Sequence, residues 1–202
     1  KLFSSRRYAF DEKIKKDFPL RNELIDAVDS VSCLIKAQQA EEGGVLAGYN
    51  YRLGYVRDQY GVSRCLLELG YKEEARKILD FYWNTWKRHG KIHNAQCMGV
   101  SGLFHVHEND EVEITGYLVI QAFNYLEGSG DESYFEEIFP MLAWAFEAQK
   151  RHIANGMLPF NGDETYIAGR VLPRNTMNDG SAEATLLFIT GGEKLVKWAE
   201  EK

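Results

Sequence analysis

Two alternations run the length of this chain, and together they restrict its fold more than any single motif does. Segments with apolar residues at helical spacing alternate between two kinds. Helices expected over 20–39, 72–89 and 131–154 carry one apolar stripe opposite charged faces, as helices packed on one side do. The first has Leu20, Leu24, Val28, Val31 and Ile35 as its stripe. The second has Ala75, Ile78, Leu79, Tyr82 and Trp86. Between them lie more apolar helices, expected up to Leu69, over 111–127 and over 181–190. The middle one reads Tyr117-Leu118-Val119-Ile120-Gln121-Ala122-Phe123, which predicts burial on every side. The connections alternate as well. Long loops over 43–58, 91–110 and 155–179 precede the apolar helices. Short turns at Gly70, Gly128-Ser129-Gly130 and Gly191-Gly192 follow them. Pro140 is expected to divide the fifth helix, and a seventh is expected to begin near Glu193.

No strand pattern stands out, so the chain reads as all-α, one helical domain over 1–202. In antiparallel helical hairpins, successive connections lie at opposite ends. All three long loops then share one end, above the N-termini of an inner layer wrapped by an outer one. Long loops on a rigid scaffold are where sites are built. Three hairpins and the start of a fourth are present. They would form either part of a larger ring or an open array.

Composition narrows the function classes. The 202 residues are 45% hydrophobic, enough for one well-packed core, and the net charge is −6. No basic block is present, which argues against nucleic acid as a partner. No apolar run has the length of a membrane span. Three cysteines (Cys33, Cys65 and Cys97) are too few and too irregular for a disulfide framework, and a reduced cytoplasmic setting is expected. His105-Val106-His107-Glu108 has neither zinc-finger nor helical His-pair spacing, so no metal site is expected. Gly99-Val100-Ser101-Gly102 has no preceding strand pattern and no following Gly-Lys, unlike a nucleotide loop.

Each long loop carries groups suited to sugar chemistry. The first ends Tyr49-Asn50-Tyr51-Arg52-Leu53-Gly54-Tyr55-Val56-Arg57-Asp58, where a helix begins. A carboxylate in a first helical turn faces free N–H groups and the positive end of the dipole, which hold Asp58 ionised. Arg57 adds a planar fork of donors. The same pair also reads simply as a dipole charge beside a surface arginine. The third loop carries Phe160-Asn161-Gly162-Asp163-Glu164-Thr165-Tyr166-Ile167. A carboxyl among apolar neighbours and beside a second carboxylate resists ionising and can act as a general acid. Alternatively, Asp163 and Glu164 form a solvated turn after Asn-Gly. Glu111 and Glu113 follow the second loop, either as dipole charges or as groups lining a substrate pocket.

The segment Asn50-Tyr51-Arg52-Leu53-Gly54-Tyr55-Val56-Arg57-Asp58, with Leu69-Gly70-Tyr71 and Glu73-Glu74-Ala75-Arg76 after it, resembles the glucoamylase-type glycosidases of glycoside hydrolase family 15. Glu111-Val112-Glu113-Ile114-Thr115-Gly116 and Phe139-Pro140-Met141-Leu142 with Trp144 extend the resemblance. It implies an (α/α) six-hairpin toroid of which this chain is about the N-terminal half, and hydrolysis of α-linked glucosides with inversion. Arg57 and Asp58 would bind the terminal sugar. Glu164 would be the general acid, with Asp163 second choice, and Glu111 and Glu113 would line the pocket. Tyr51, Tyr55 and Phe160 are candidate stacking surfaces. The tryptophan that precedes the family's acid is absent, Asp163 standing there instead. An oligosaccharide or disaccharide is the implied partner, with no cofactor. The remainder of a parent chain or a second subunit would complete the ring and supply the catalytic base. A six-hairpin phosphorylase, trehalase or debranching glucosidase fits the same residues, as does a helical-repeat binding module without catalysis.

Overall fold

The structure, a computed structural model, describes residues 16–48, 50, 52–99, 104–105, 114–159 and 180–202. Among them are six helices: α1 (Arg21–Gln38), α2 (Val56–Glu68), α3 (Lys72–His89), α4 (Ile114–Ser129), α5 (Glu132–Lys150) and α6 (Ala182–Glu201). The helical expectation holds, and the bounds of α3 are those expected from its spacing. Glu73 and Glu74 occupy its first turn and Lys87, Arg88 and His89 its last, each matching the helix dipole. Gly90 then takes φ 71°, a left-handed cap that a side chain would strain, and its N–H donates to the Trp86 carbonyl. Asp131 caps α5 by accepting from the Tyr134 N–H at 3.1 Å.

Side-chain contacts give the helix directions. The Tyr60 ring packs tilted against that of Tyr117, and Leu67 lies beside Gly128, so α2 and α4 run parallel. Gly116 meets Leu187, Gly191 meets Val119, and Lys194 pairs with Glu127 at 2.8 Å, so α6 runs the same way. Arg76–Asp131, Tyr134–Asp80 and Trp83–Glu137 set α3 parallel to α5. Phe146–Phe188 and Phe135–Trp198 set α5 antiparallel to α6. Thus α2, α4 and α6 share one direction, and their N-termini share one end. The loops before them open there, as the alternation of connections predicts.

The central helix is α4, which packs against α2, α3, α5 and α6. Residues 116–123 are all buried, so burial on every side holds for this helix. It does not hold for α2 and α6, the other two helices of the expected inner layer. α2 exposes Arg57, Asp58, Gly61, Arg64 and Glu68, and α6 exposes Leu186, Ile189 and Val196. The core joins Leu66, Ile78, Leu79, Tyr82, Leu118, Phe135, Ile138 and Leu142, each essentially inaccessible. Burying one such side chain stabilises the fold by about 1.5–3 kcal/mol.

Four further expectations are corrected. The Gly191-Gly192 turn and the seventh helix do not form, because α6 continues to Glu201. The two glycines are buried where α6 approaches its neighbours closely. A methyl on Gly192 would meet the Phe146 ring at 2.6 Å. The start of a fourth hairpin therefore disappears. Pro140 does not divide α5. It is exposed, and the carbonyl left without an amide belongs to exposed Glu136 and can be solvated. The stripe expected on α1 is not the face it buries. Ile25 and Ser32 are buried with Val28 and Ile35 half-buried, whereas Leu20, Leu24 and Val31 are exposed. Finally, a small antiparallel sheet exists: β1 (Leu53–Tyr55), β2 (Ala95–Cys97) and β3 (Phe104–His105), in that order. Strands of two or three residues are too short for alternation to register in sequence. The pairing of Gly54 with Gln96 and of Gln96 with Phe104 creates them.

Candidate functional site

The site is the end where α2, α4 and α6 begin. β1 runs directly into α2, and the Val56 N–H donates to the Asn94 carbonyl at 3.1 Å, fastening the start of α2 to the second loop. Arg57 and Asp58 occupy the first turn of α2 and are exposed. Tyr55 is the last residue of β1 and is half-buried. Arg52, just before the sheet, takes φ 52°, a left-handed conformation uncommon outside glycine, and its carbonyl accepts from the Met98 N–H at 3.0 Å. The segment expected to present the sugar-binding pair is thus stapled to the second loop on both sides of β1. The other residues expected at the site, Tyr51, Glu111, Glu113, Phe160, Asp163 and Glu164, lie outside the described residues.

The third loop is tied at its two ends. The Ser181 N–H donates to the Leu158 carbonyl at 2.7 Å, and the Leu158 N–H donates to Thr185 Oγ1 at 3.0 Å. Ser181 also caps α6, its hydroxyl accepting from the Ala184 N–H. Leu158 and Ser181, which flank the segment carrying Asp163 and Glu164 in sequence, therefore sit together at the start of α6, at the end that holds Arg57 and Asp58. The Tyr117 hydroxyl donates to Glu183, joining the first turns of α4 and α6.

Behind Asp58 sits a buried polar relay that the sequence reading missed. Gln59 is fully buried; its oxygen accepts from the Val45 N–H at 3.1 Å and its nitrogen donates to the Tyr82 hydroxyl at 2.7 Å. Gly54 is pressed against this amide; a methyl there would lie 2.6 Å from Gln59 Nε2. Burial, reinforced by the Asp58 charge and partly offset by the Gln59 bond, raises the Tyr82 pKa well above its ordinary value. The phenol stays neutral beside the Asp58 carboxylate. His93 and Asn94 just before β2, and Gln96 within it, are buried. Their signal was the polar run His93-Asn94-Ala95-Gln96, unusual for a segment with so little exposure.

An open cleft of about 680 Å³ lies at the same end, between the C-terminus of α3 and β2, lined by Glu42, Asn84, Arg88, His89, Gln96 and Cys97 among others. Glu42 closes one side by accepting from the Gly99 N–H. Among the described residues no group of three or more His, Cys, Asp or Glu is arranged to hold a metal ion. No described helix is long and apolar enough to cross a membrane. At this end Arg57 and Asp58 stand exposed in the first turn of α2, a guanidinium beside a carboxyl group. No family model matches the chain, and no curated protein or solved structure is similar enough to match it either.

Proposed function

We propose that this chain is part of an (α/α) toroid that releases glucose from α-linked glucosides with inversion. One observation carries the reading: α2, α4 and α6 point the same way, with Arg57 and Asp58 in the first turn of α2 at the end where the long loops open. Arg57 and Asp58 fix the hydroxyls of the terminal glucose, the first by a planar donor fork and the second as an ionised acceptor at a helix N-terminus. Glu164, or less favourably Asp163, protonates the glycosidic oxygen. Tyr51, Tyr55 and Phe160 offer faces for stacking, and Glu111 and Glu113 line the pocket. Inversion takes a second carboxylate, roughly 6.5–9.5 Å from the acid, to activate water across the ring. In this reading it comes from the remainder of a parent chain or from a second subunit. The chemistry calls for no metal or organic cofactor.

The test is glucose release from maltooligosaccharides and trehalose by the full gene product, with the product anomer followed by NMR. β-Glucose is expected, and Glu164→Gln is expected to lower its release by about 10²-fold or more. Arg57→Ala and Asp58→Asn are expected to raise KM and lower kcat/KM with little change in thermal stability, since both side chains are exposed. Turnover only with added phosphate would make the enzyme a phosphorylase. No release under either condition overturns the catalytic reading.

A further inference from the structure

Gln121 is the one amide in the apolar run Tyr117–Phe123 of α4, and it is fully buried. A buried amide is costly unless its oxygen and its nitrogen find partners. Among the described residues neither Gln121 Oε1 nor Nε2 has one. Ser63 on α2 is fully buried too, and its hydroxyl is likewise unmet among the described residues. Other hydroxyls on helices of this chain behave differently. Ser30, Ser32, Thr85 and Thr185 each donate to the carbonyl four residues earlier, at 2.6–2.8 Å. Ser63 makes no such bond to the Gln59 carbonyl. Gln59, equally buried, uses both ends of its amide. The two unmet groups share one interface. α2 and α4 run parallel, with the Tyr60 ring against that of Tyr117 and Leu67 beside Gly128. Ser63 lies between Tyr60 and Leu67, and Gln121 between Tyr117 and Gly128, at the three- and four-residue steps that keep to one face of a helix. Counted from the Tyr60–Tyr117 contact, the two are level to about one residue of helical rise, about 1.5 Å. Leu66 and Leu118, a turn away on the two helices, are apolar and inaccessible.

We infer that the core binds a water molecule between Ser63 and Gln121, which bridges the α2 hydroxyl to the α4 amide. Size, charge and hydrogen-bonding capacity identify the ligand. Both side chains are inaccessible, so the ligand is small enough to be enclosed. Neither α2 nor α4 buries a charged side chain among its described residues, so the site holds nothing to pair with an ion. The hydroxyl gives one hydrogen bond and accepts others, while the amide offers an oxygen and an N–H. Water is the small neutral molecule that donates and accepts at once, and two to four polar partners are what a buried water needs. One that accepts from the Ser63 hydroxyl and donates to Gln121 Oε1 meets both groups without moving either helix. The bridge lies one turn beyond Gln59, whose amide already ties α2 to α3 through Tyr82. Together they form a polar seam along the inner face of α2, behind the first turn that carries Arg57 and Asp58. α2 is then tied to two neighbours by directional bonds as well as by apolar contact, and its rotation about its own axis is restricted. The inference does not rest on the proposed catalytic reading, because neither Ser63 nor Gln121 belongs to that site.

Water–protein NMR on the intact, isotope-labelled chain tests this, with calorimetry beside it. A long-lived water should give a through-space cross-peak to the Gln121 side-chain amide, of the sign that separates it from proton exchange. Ser63→Ala should abolish that cross-peak or weaken it severalfold, because the water loses one of its two anchors. Ser63→Ala and Gln121→Leu are each expected to lower Tm by about 2–4 °C, since each leaves the opposite group without its bridge. The double variant should lose clearly less than the sum, because two apolar groups ask for no water. Absence of the cross-peak in the unaltered chain overturns the inference, and that spectrum decides the matter even where a variant fails to fold. Losses that simply add overturn it as well, since the two residues would then act separately. Non-additive losses without a water cross-peak also overturn it, because Ser63 and Gln121 would then bond to each other directly.

Discussion

Gln59 shows how much one residue can decide in this structure. It is fully buried on α2, and its amide bridges the Val45 N–H and the Tyr82 hydroxyl. Gln59→Leu would leave both partners buried and unpaired, and an unmet buried group costs about 1–3 kcal/mol. A fall of that size in unfolding free energy, measured by urea titration, is expected, with any activity reduced because Asp58 is the adjacent residue. The tyrosines make a second prediction. Tyr134 is buried and donates to Asp80 at 2.8 Å; burial first, and then the Asp80 charge, raises its pKa. Tyr82 is raised for the same leading reason. A group whose folded pKa lies above its unfolded value contributes stability that is complete below the unfolded pKa, about 10 for tyrosine, and is lost as pH rises beyond it. Tm should therefore decline above about pH 10, and Tyr134→Phe should make that decline shallower while lowering Tm at neutral pH.

At the scale of elements, the contacts around α6 make the sharpest case. Its middle glycines read as a turn, because glycine pairs interrupt most helices. Here they allow contact with Val119 and with the Phe146 ring. Gly192→Ala gains helix propensity but puts a methyl into that ring. The overpacking, typically about 1–3 kcal/mol, should outweigh the gain and lower Tm. The Leu158–Thr185 bond belongs to this scale too. Thr185→Val removes the acceptor for the Leu158 N–H at the base of the third loop. In the proposed function, this variant loses glucose release in larger proportion than it loses stability.

For the molecule as a whole, α4 is the helix around which the others are arranged, and hydrogen exchange should report it. Its amides from 117 to 125 should exchange most slowly, near the rate set by global unfolding. Those of α1, at the edge of the array, should exchange fastest among the helices. Equal protection of α1 and α4 would contradict that arrangement.

Much of this was legible from local rules. Helix existence, the bounds of α3, the cap at Asp131, the burial of residues 116–123 in α4 and the shared end of the long connections all follow from apolar period, capping residues and turn residues. These depend on neighbours within a few positions along the chain. Packing over longer distances decided the rest. Gly191 and Gly192 stay helical because two other helices fill the space a side chain would need, and nothing near them in sequence announces it. The three short strands exist because Leu53 meets Cys97 across a long separation and Gln96 then pairs with Phe104. Which of two apolar faces α1 turns to the domain depends on where α3 stands, since both faces satisfy helical spacing. Spacing alone identifies an apolar face, and only the tertiary structure determines which part of the chain it meets.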